Sequence, residues 1–297
     1  ESLQDHVISC VYDAESRATG NQKARGNKGA SLLKAPSFTN NMKLNSRFQS
    51  RVFSVGFKDQ DAILAAGQMA DATYWFDLQA GSWVSSSFYL DELPEWVETF
   101  NQKNSADTLM KEKWDLLHPL ETYTASRSDR NDYEPGFGRF ANGFPYRLAC
   151  LSRKDDDYEI LRYTPYADKL TVKFAKSLIK EELPGRDSIT DYMAISLTTT
   201  EGIADLFGPF SVEHEDAFIR TDKRIAEILN FLETQYDRDS ILVFLTGAHG
   251  APLLPGFMKQ AGGNAGYFTH RSAIALLKAY LRAVYGQGNW VKHYTQQ

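Results

Sequence analysis

The chain has 297 residues, 42% of them hydrophobic and 24% charged, with a formal net charge of −5. These values exclude a disordered or fibrous protein and lack the strongly basic footprint of a nucleic-acid binder. The sequence has no apolar run of about 18 residues, so a transmembrane segment is not expected. The two cysteines, Cys10 and Cys150, can form one disulfide at most and read more simply as buried thiols. No CxxC pair occurs, and no two of the six histidines stand four apart.

Residues 1–35 are polar and rich in turn formers, with Lys23, Arg25 and Lys28 among Gly20, Gly26 and Gly29. A solvated excursion is expected there, with a weak alternative of an anion-binding arm. Arg51–Phe57 is a short apolar run of β-formers, expected as a buried strand. Ala62–Gly67 reads as a short helix closed by glycine. Residues 71–90 read as two strands around Gly81, and Leu93–Gln102 as a helix with Pro94 in its first turn.

Residues 103–163 show weak periodicity and many turn signals, as in Asn131–Gly138 and Asn142-Gly143. An insertion or cap is expected, between core segments 36–102 and 164–297. Pro165–Lys180 reads as a helix with Thr164 as N-cap. Tyr192–Leu197 and Ser240–Thr246 read as buried strands. Ser211–Tyr236 is the strongest helix, with Phe218, Ile225, Leu229, Leu232 and Tyr236 at the 3.6-residue period. His270–Tyr285 reads as an amphipathic helix. Apolar strands alternating with long helices predict an α/β fold, its sheet mainly parallel and covered by helices on both faces. Chemistry in such sheets lies past the carboxyl ends of the strands. That points to Lys58-Asp59-Gln60, Thr198–Asp205 and Thr246–Gly250.

Three runs carry a resemblance: FSVGFKDQDAILAAGQMADATYWFD, SLTTTEGIADLFGPFSVEHEDAFIRTDKRIAEILNFLE and ILVFLTGAHGAPLLP. Together they resemble the alkaline phosphatase superfamily across most of residues 50–285. The nearest branch is the bacterial phosphate monoesterases with a threonine nucleophile and a Lys/Arg pair, cousins of the type I phosphodiesterase/nucleotide pyrophosphatases. The resemblance implies a two-zinc phosphate-ester hydrolase. Two cations clamp the attacking and leaving oxygens, and a cationic side chain steadies the phosphoryl group.

Placed on this sequence, the pattern keeps the phosphate-contacting Lys58 but puts Gln60 where the family has arginine. An aspartate ligand position falls on Glu201 and a histidine ligand position on Asp205. In the TxDHG turn the aspartate position is Ala248, which has no donor atom, while His249 remains. The family's threonine nucleophile and first metal aspartate would lie before Glu1, and a third zinc histidine after Gln297. The expectation is that the chain holds the interior of one larger domain.

Each of these positions has a simpler reading as well. His249 could be a turn histidine. Glu201 and Asp205, four apart, could hold Ca²⁺ or Mg²⁺ through oxygen alone or form a solvated acidic face. Lys58 could bind an anion or pair with Asp59, Asp61 or Glu201. The leading functional expectation is a degenerate, inactive phosphatase-like domain that serves binding or scaffolding with a protein partner. A hydrolase with an altered metal set is the second. A glycan-binding surface built from the aromatics of residues 74–100 is the third. The resemblance also implies export to the periplasm or cell surface.

Overall fold

Val52–Gly56 (β2) is an interior strand of the sheet because it has no polar face to offer solvent: every residue of the strand is buried. The computed structural model describes residues 9–103, 105–137, 143–151, 158–182, 184–185 and 187–291. His293 and parts of residues 103–163, including Gly138 and Asn142, lie outside these. Two compact units are present: Cys10–Pro252, and Glu1–Ser9 with Leu253–Gln297.

In the larger unit the elements run Ala18–Thr19 (β1), Phe38–Asn45 (α1), β2, Asp59–Ala66 (α2), Ala72–Asp77 (β3) and Ser82–Ser86 (β4). Glu95–Gln102 (α3), Ser105–Met110 (α4), Lys113–Trp114 (β5), Tyr146–Arg147 (β6) and Leu148–Leu151 (α5) follow. Tyr166–Glu182 (α6), Tyr192–Ser196 (β7), Thr199–Phe207 (α7) and Val212–Gln235 (α8) complete it. The five-stranded sheet has the order β1-β4-β3-β2-β7. β2 runs parallel to both β3 and β7, while β3–β4 and β1–β4 are antiparallel. The α/β architecture is thus as expected, with a mixed sheet. The antiparallel part follows from the tight β3–β4 hairpin, where Gly81 supplies φ 63°. A second sheet pairs β5 with β6.

The core is aromatic. Trp83 stacks on Phe174 of α6 at 4.3 Å, and Tyr74, Trp96 and Phe100 close around the same ring. Tyr74, Trp75, Phe76, Trp83 and Phe100 are all buried. The aromatic-rich stretch 74–100 is therefore core material, and this removes the motive for a glycan-binding surface. Residues 103–163 also feed the main core, through Trp114, Tyr146, Leu148, Tyr158 and Leu161.

Four local expectations are corrected. Ser240–Thr246 forms no strand: Leu242 is 79% and Phe244 81% exposed. An apolar run signals a preference for burial but does not supply a ladder partner. β7 ends the sheet with no strand on its outer edge among the described residues, and its own residues are only half-buried. Within the 1–35 segment, the described residues 9–35 are no solvated excursion. Val11 and Ala30 pack with Ala62, Ile63, Trp75 and Val84, and β1 joins the sheet. Cys10 and Cys150 are free and exposed, so they are neither buried thiols nor bonded to each other. Thr164 turns its hydroxyl back to the Leu161 carbonyl at 3.0 Å.

α8 matches its expected span, with Ser211 accepting from the His214 amide at 3.1 Å as N-cap. Its buried face differs, being Val212, Glu213, His214, Asp216, Ala217 and Ile228, while Phe218 is 55% exposed. In the smaller unit, Pro255–Gln260 (α9) and His270–Tyr285 (α10) are helical, the latter as expected. Among the described residues no helix is long and apolar enough to cross a membrane.

Candidate functional site

β2 and β7 run parallel, so their carboxyl ends open on the same side. Lys58 follows the tip of β2 and stands at the N-cap of α2. Thr198 follows β7 and stands at the N-cap of α7, which puts Glu201 in the first turn of that helix. The two tips meet through an ion pair, with Lys58 Nζ 2.5 Å from Glu201 Oε2. Both side chains are partly buried, so the pair is screened less than one in open solvent. Of the three carboxylates considered for Lys58, Glu201 is the one it contacts. Asp59 instead holds Lys28 at 2.6 Å.

Asp61 lies within the same charge field. Burial raises its pKa; Lys58 opposes that rise, Glu201 and Asp59 add to it, and Arg162 opposes it. Arg162 reaches this corner because its segment packs on α7 without clearance. A Cβ built on Gly202 would come within 2.1 Å of the Arg162 carbonyl oxygen. The guanidinium pairs with Glu159 at 2.9 Å.

The β7–α7 turn is held from beneath by Asp168. Its Oδ1 accepts from the amides of Thr198 at 2.9 Å and Thr199 at 3.1 Å. Its Oδ2 accepts from the Thr221 hydroxyl at 3.0 Å. Asp168 is almost fully buried, and burial raises its pKa against the pull of these donors. This carboxylate escaped the sequence reading, although an aspartate inside the apolar pattern of Pro165–Lys180 marks it. Arg162 left no comparable local signal, because its place depends on the contact with Gly202.

The remaining expected site residues are exposed. Gln60 is exposed on the first turn of α2, and Asp205 is exposed one turn after Glu201. Ala248 and His249 lie on the exposed segment after Ile241, where His249 Nδ1 faces the Gly250 carbonyl at 3.0 Å. Among the described residues no three His, Cys, Asp or Glu side chains are grouped to hold a metal ion. Glu201 is engaged by Lys58, and Ala248 has no donor atom in its side chain.

A second polar cluster anchors α8. Asp216 accepts from Trp114 Nε1 at 2.7 Å, the Tyr123 hydroxyl at 2.7 Å, the Leu117 amide at 3.0 Å and Arg220 Nε at 2.6 Å. One turn away, the Tyr146 hydroxyl donates to Glu213 at 2.5 Å. Burial pushes Glu213 up to about 8, with Glu134 and Asp129 adding to the rise and the Tyr146 hydrogen bond opposing it. Apart from Arg220, which lies on α8 itself, the donors come from residues 114–146 and tie that segment to α8.

Comparison with known proteins agrees with this architecture. Residues 40–293 match the family model of type I phosphodiesterase / nucleotide pyrophosphatase. A protein named calcium-transporting ATPase from Myroides odoratus is 35% identical over 95% of this chain and 52% of its own length. Alkaline phosphatase PhoV of Synechococcus elongatus is 34% identical over 85% of this chain and 46% of its own. A crystal structure of wild-type alkaline phosphatase PafA superposes with a TM-score of 0.83 at 31% identity, covering 95% of this chain and 54% of that one. The chain thus spans about half the length of the curated relatives it matches. The sheet order, the adjacent tips of the parallel strands β2 and β7 and these matches together place the chain in the type I phosphodiesterase / nucleotide pyrophosphatase family of the alkaline phosphatase superfamily.

Proposed function

We propose that this chain is a non-hydrolytic member of its family, a phosphatase-like domain kept for binding. The observation that carries the reading is the Lys58–Glu201 ion pair. A carboxylate at a family ligand position is spent on a side chain, where the resemblance implies a zinc ion. Ala248 supports the same reading, since a doubly charged ion with a missing ligand is left undersatisfied. Gln60 and Asp205, which differ in charge or ligand type from the family pattern, add to it. The binding role implies a protein partner, and the resemblance implies a periplasmic or cell-surface setting, which cell fractionation would test.

Zinc content and phosphate-ester turnover should be measured on this chain and on the longest natural polypeptide that contains it. Substoichiometric zinc and turnover indistinguishable from buffer are expected. Stoichiometric zinc with sustained hydrolysis would overturn the proposal.

The second reading is a hydrolase with one non-zinc cation at Glu201, Asp205 and His249, with Lys58 facing the phosphate. It is favoured by the retained Lys58 and by relatives that are named alkaline phosphatases. A single cation could still act as a Lewis acid there. Calcium- or magnesium-dependent turnover that is lost on chelation and in Lys58→Ala would select this reading over the first.

A further inference from the structure

We propose that the groove between α6 and α8 docks an acidic polypeptide segment, with a stripe of α6 lysines as its recognition element. The proposal rests on the binding role above and names the chemistry of the partner. The groove shares no lining residue with the strand-tip corner of Lys58 and Glu201.

The pattern begins in α6. Ahead of its last two residues, the core leaves only Lys169, Lys173, Lys176, Ser177 and Lys180 unburied. The lysines stand four, three and four residues apart, so they share one helix face. From the first to the last is about 16 Å of helix. Glu182 turns to Arg51 at 2.7 Å and to Trp96 Nε1 at 2.9 Å, and Glu181 is the one carboxylate of α6 that stays exposed. Like charges at this spacing repel and weaken the helix that carries them. A cationic stripe on a chain of net charge −5 therefore gains from an anionic partner.

α8 supplies the opposite wall. Two adjoining hollows of about 510 and 200 Å³ are lined by Lys173, Lys176 and Lys180 from α6 and by Lys223, Asn230 and Thr234 from α8. Phe231 lies in the groove, with Lys176 Nζ 5.2 Å and Lys180 Nζ 5.7 Å from its ring centre. The ring thus seats two of the ammonium groups. One carboxylate already occupies the groove. Glu227 accepts from Lys176 at 3.0 Å and from Arg224; burial raises its pKa, and these cations overcome that and hold it below the usual range. Among the described residues Lys169, Lys173, Lys180 and Lys223 form no ion pair, and Lys173 donates to the Ser105 hydroxyl at 2.7 Å. These cations are open to further carboxylates. The groove is concave and Phe231 is capped by two ammonium groups, so it offers an anionic membrane no apolar side chain to insert. A polypeptide segment bearing Asp or Glu fits into it and meets the stripe.

The test is fluorescence anisotropy with a labelled Glu-rich peptide of about 16 residues, long enough to span the stripe as a helix, and its Gln-for-Glu counterpart. Both are titrated with the unmodified chain and with the triple variant Lys169→Gln, Lys173→Gln, Lys180→Gln. A control triple variant, Arg17→Gln, Lys34→Gln, Lys259→Gln, removes the same charge from exposed positions elsewhere. Circular dichroism confirms each fold. The unmodified chain should prefer the Glu peptide, the stripe variant should bind it about tenfold more weakly, and the control should match the unmodified chain. No preference for the Glu peptide would overturn the proposal, as would unchanged affinity in the stripe variant. An equal loss in the control would trace binding to net charge and also overturn it. Binding to phosphatidylserine vesicles that needs the stripe, without peptide binding, would assign the surface to a membrane instead. Zinc-dependent turnover with stripe-dependent peptide binding would sink the non-hydrolytic reading and leave the groove standing. Absent turnover with no peptide binding would do the reverse.

Discussion

Lys58 and Glu201 lie 143 residues apart in sequence and 2.5 Å apart in space. Their contact joins the tips of two parallel strands, and it sets the charge balance of the whole corner. A double-mutant cycle of Lys58→Ala and Glu201→Ala in urea unfolding should give a coupling of about 1 kcal/mol, the upper end for a partly exposed pair. A coupling indistinguishable from zero would mean that the pair plays no part in holding α7 to β2.

The buried Glu213 makes stability depend on pH. Its carboxyl is raised to about 8 from an ordinary 4.5, chiefly by burial. The folded protein therefore keeps a proton that the unfolded chain releases. Stability from this group is complete below pH about 4.5, falls as pH rises through the interval, and levels off above about 8. Glu134, raised to about 7 mainly by burial, acts in the same direction. Denaturation midpoints across pH 5–9 should decline, and Glu213→Gln should flatten the decline. An unchanged slope in the variant would assign the pH dependence elsewhere.

Asp168 satisfies two buried amides and one hydroxyl at the β7–α7 turn. Asp168→Ala strands the Thr198 and Thr199 amides and should cost about 3 kcal/mol in urea unfolding. Asp168→Asn retains one acceptor oxygen and should cost less. Amide hydrogen exchange would show early opening of residues 197–203 in the alanine variant, and normal protection there would contradict this account.

Phe174 is enclosed by Trp83, Tyr74, Trp96 and Phe100. Phe174→Ala should destabilise the larger unit by about 3–5 kcal/mol, through lost transfer energy and the cavity left behind. Phe174→Leu should recover much of it. Thermal unfolding of the pair distinguishes packing from a specific stacking requirement.

Residues 241–252 have apolar side chains in solvent and no helix or strand. Limited proteolysis should cut first between Ile241 and Pro252, because backbone outside a ladder opens at little cost. Protection of this stretch with cutting inside α8 would refute it.

Several elements were legible without a fold. The hairpin around Gly81, α8 after Ser211 and α10 follow from periodicity, turn chemistry and capping, which act over a few residues. Lys58 at a strand tip was legible for the same reason, and the three quoted runs carried the family. Asp168 was half-legible, as a carboxylate inside an apolar pattern.

Other features had no local signature. The burial of Trp75 and Trp83, the half-buried edge at β7 and the exposure of Leu242 and Phe244 depend on which surfaces meet. Hydrophobicity states how much surface a segment would hide, not whether a neighbour arrives to hide it. The choice of Glu201 over Asp59 and Asp61 as partner to Lys58, and the approach of Arg162 to Gly202, were likewise decided by packing between segments that are not neighbours in sequence. The sequence by itself determined the long helices, the β3–β4 hairpin, the family and the cation at the β2 tip. Only the tertiary structure decided what that cation faces, because an ion pair is a property of distance, and distance between remote residues is set by the whole core.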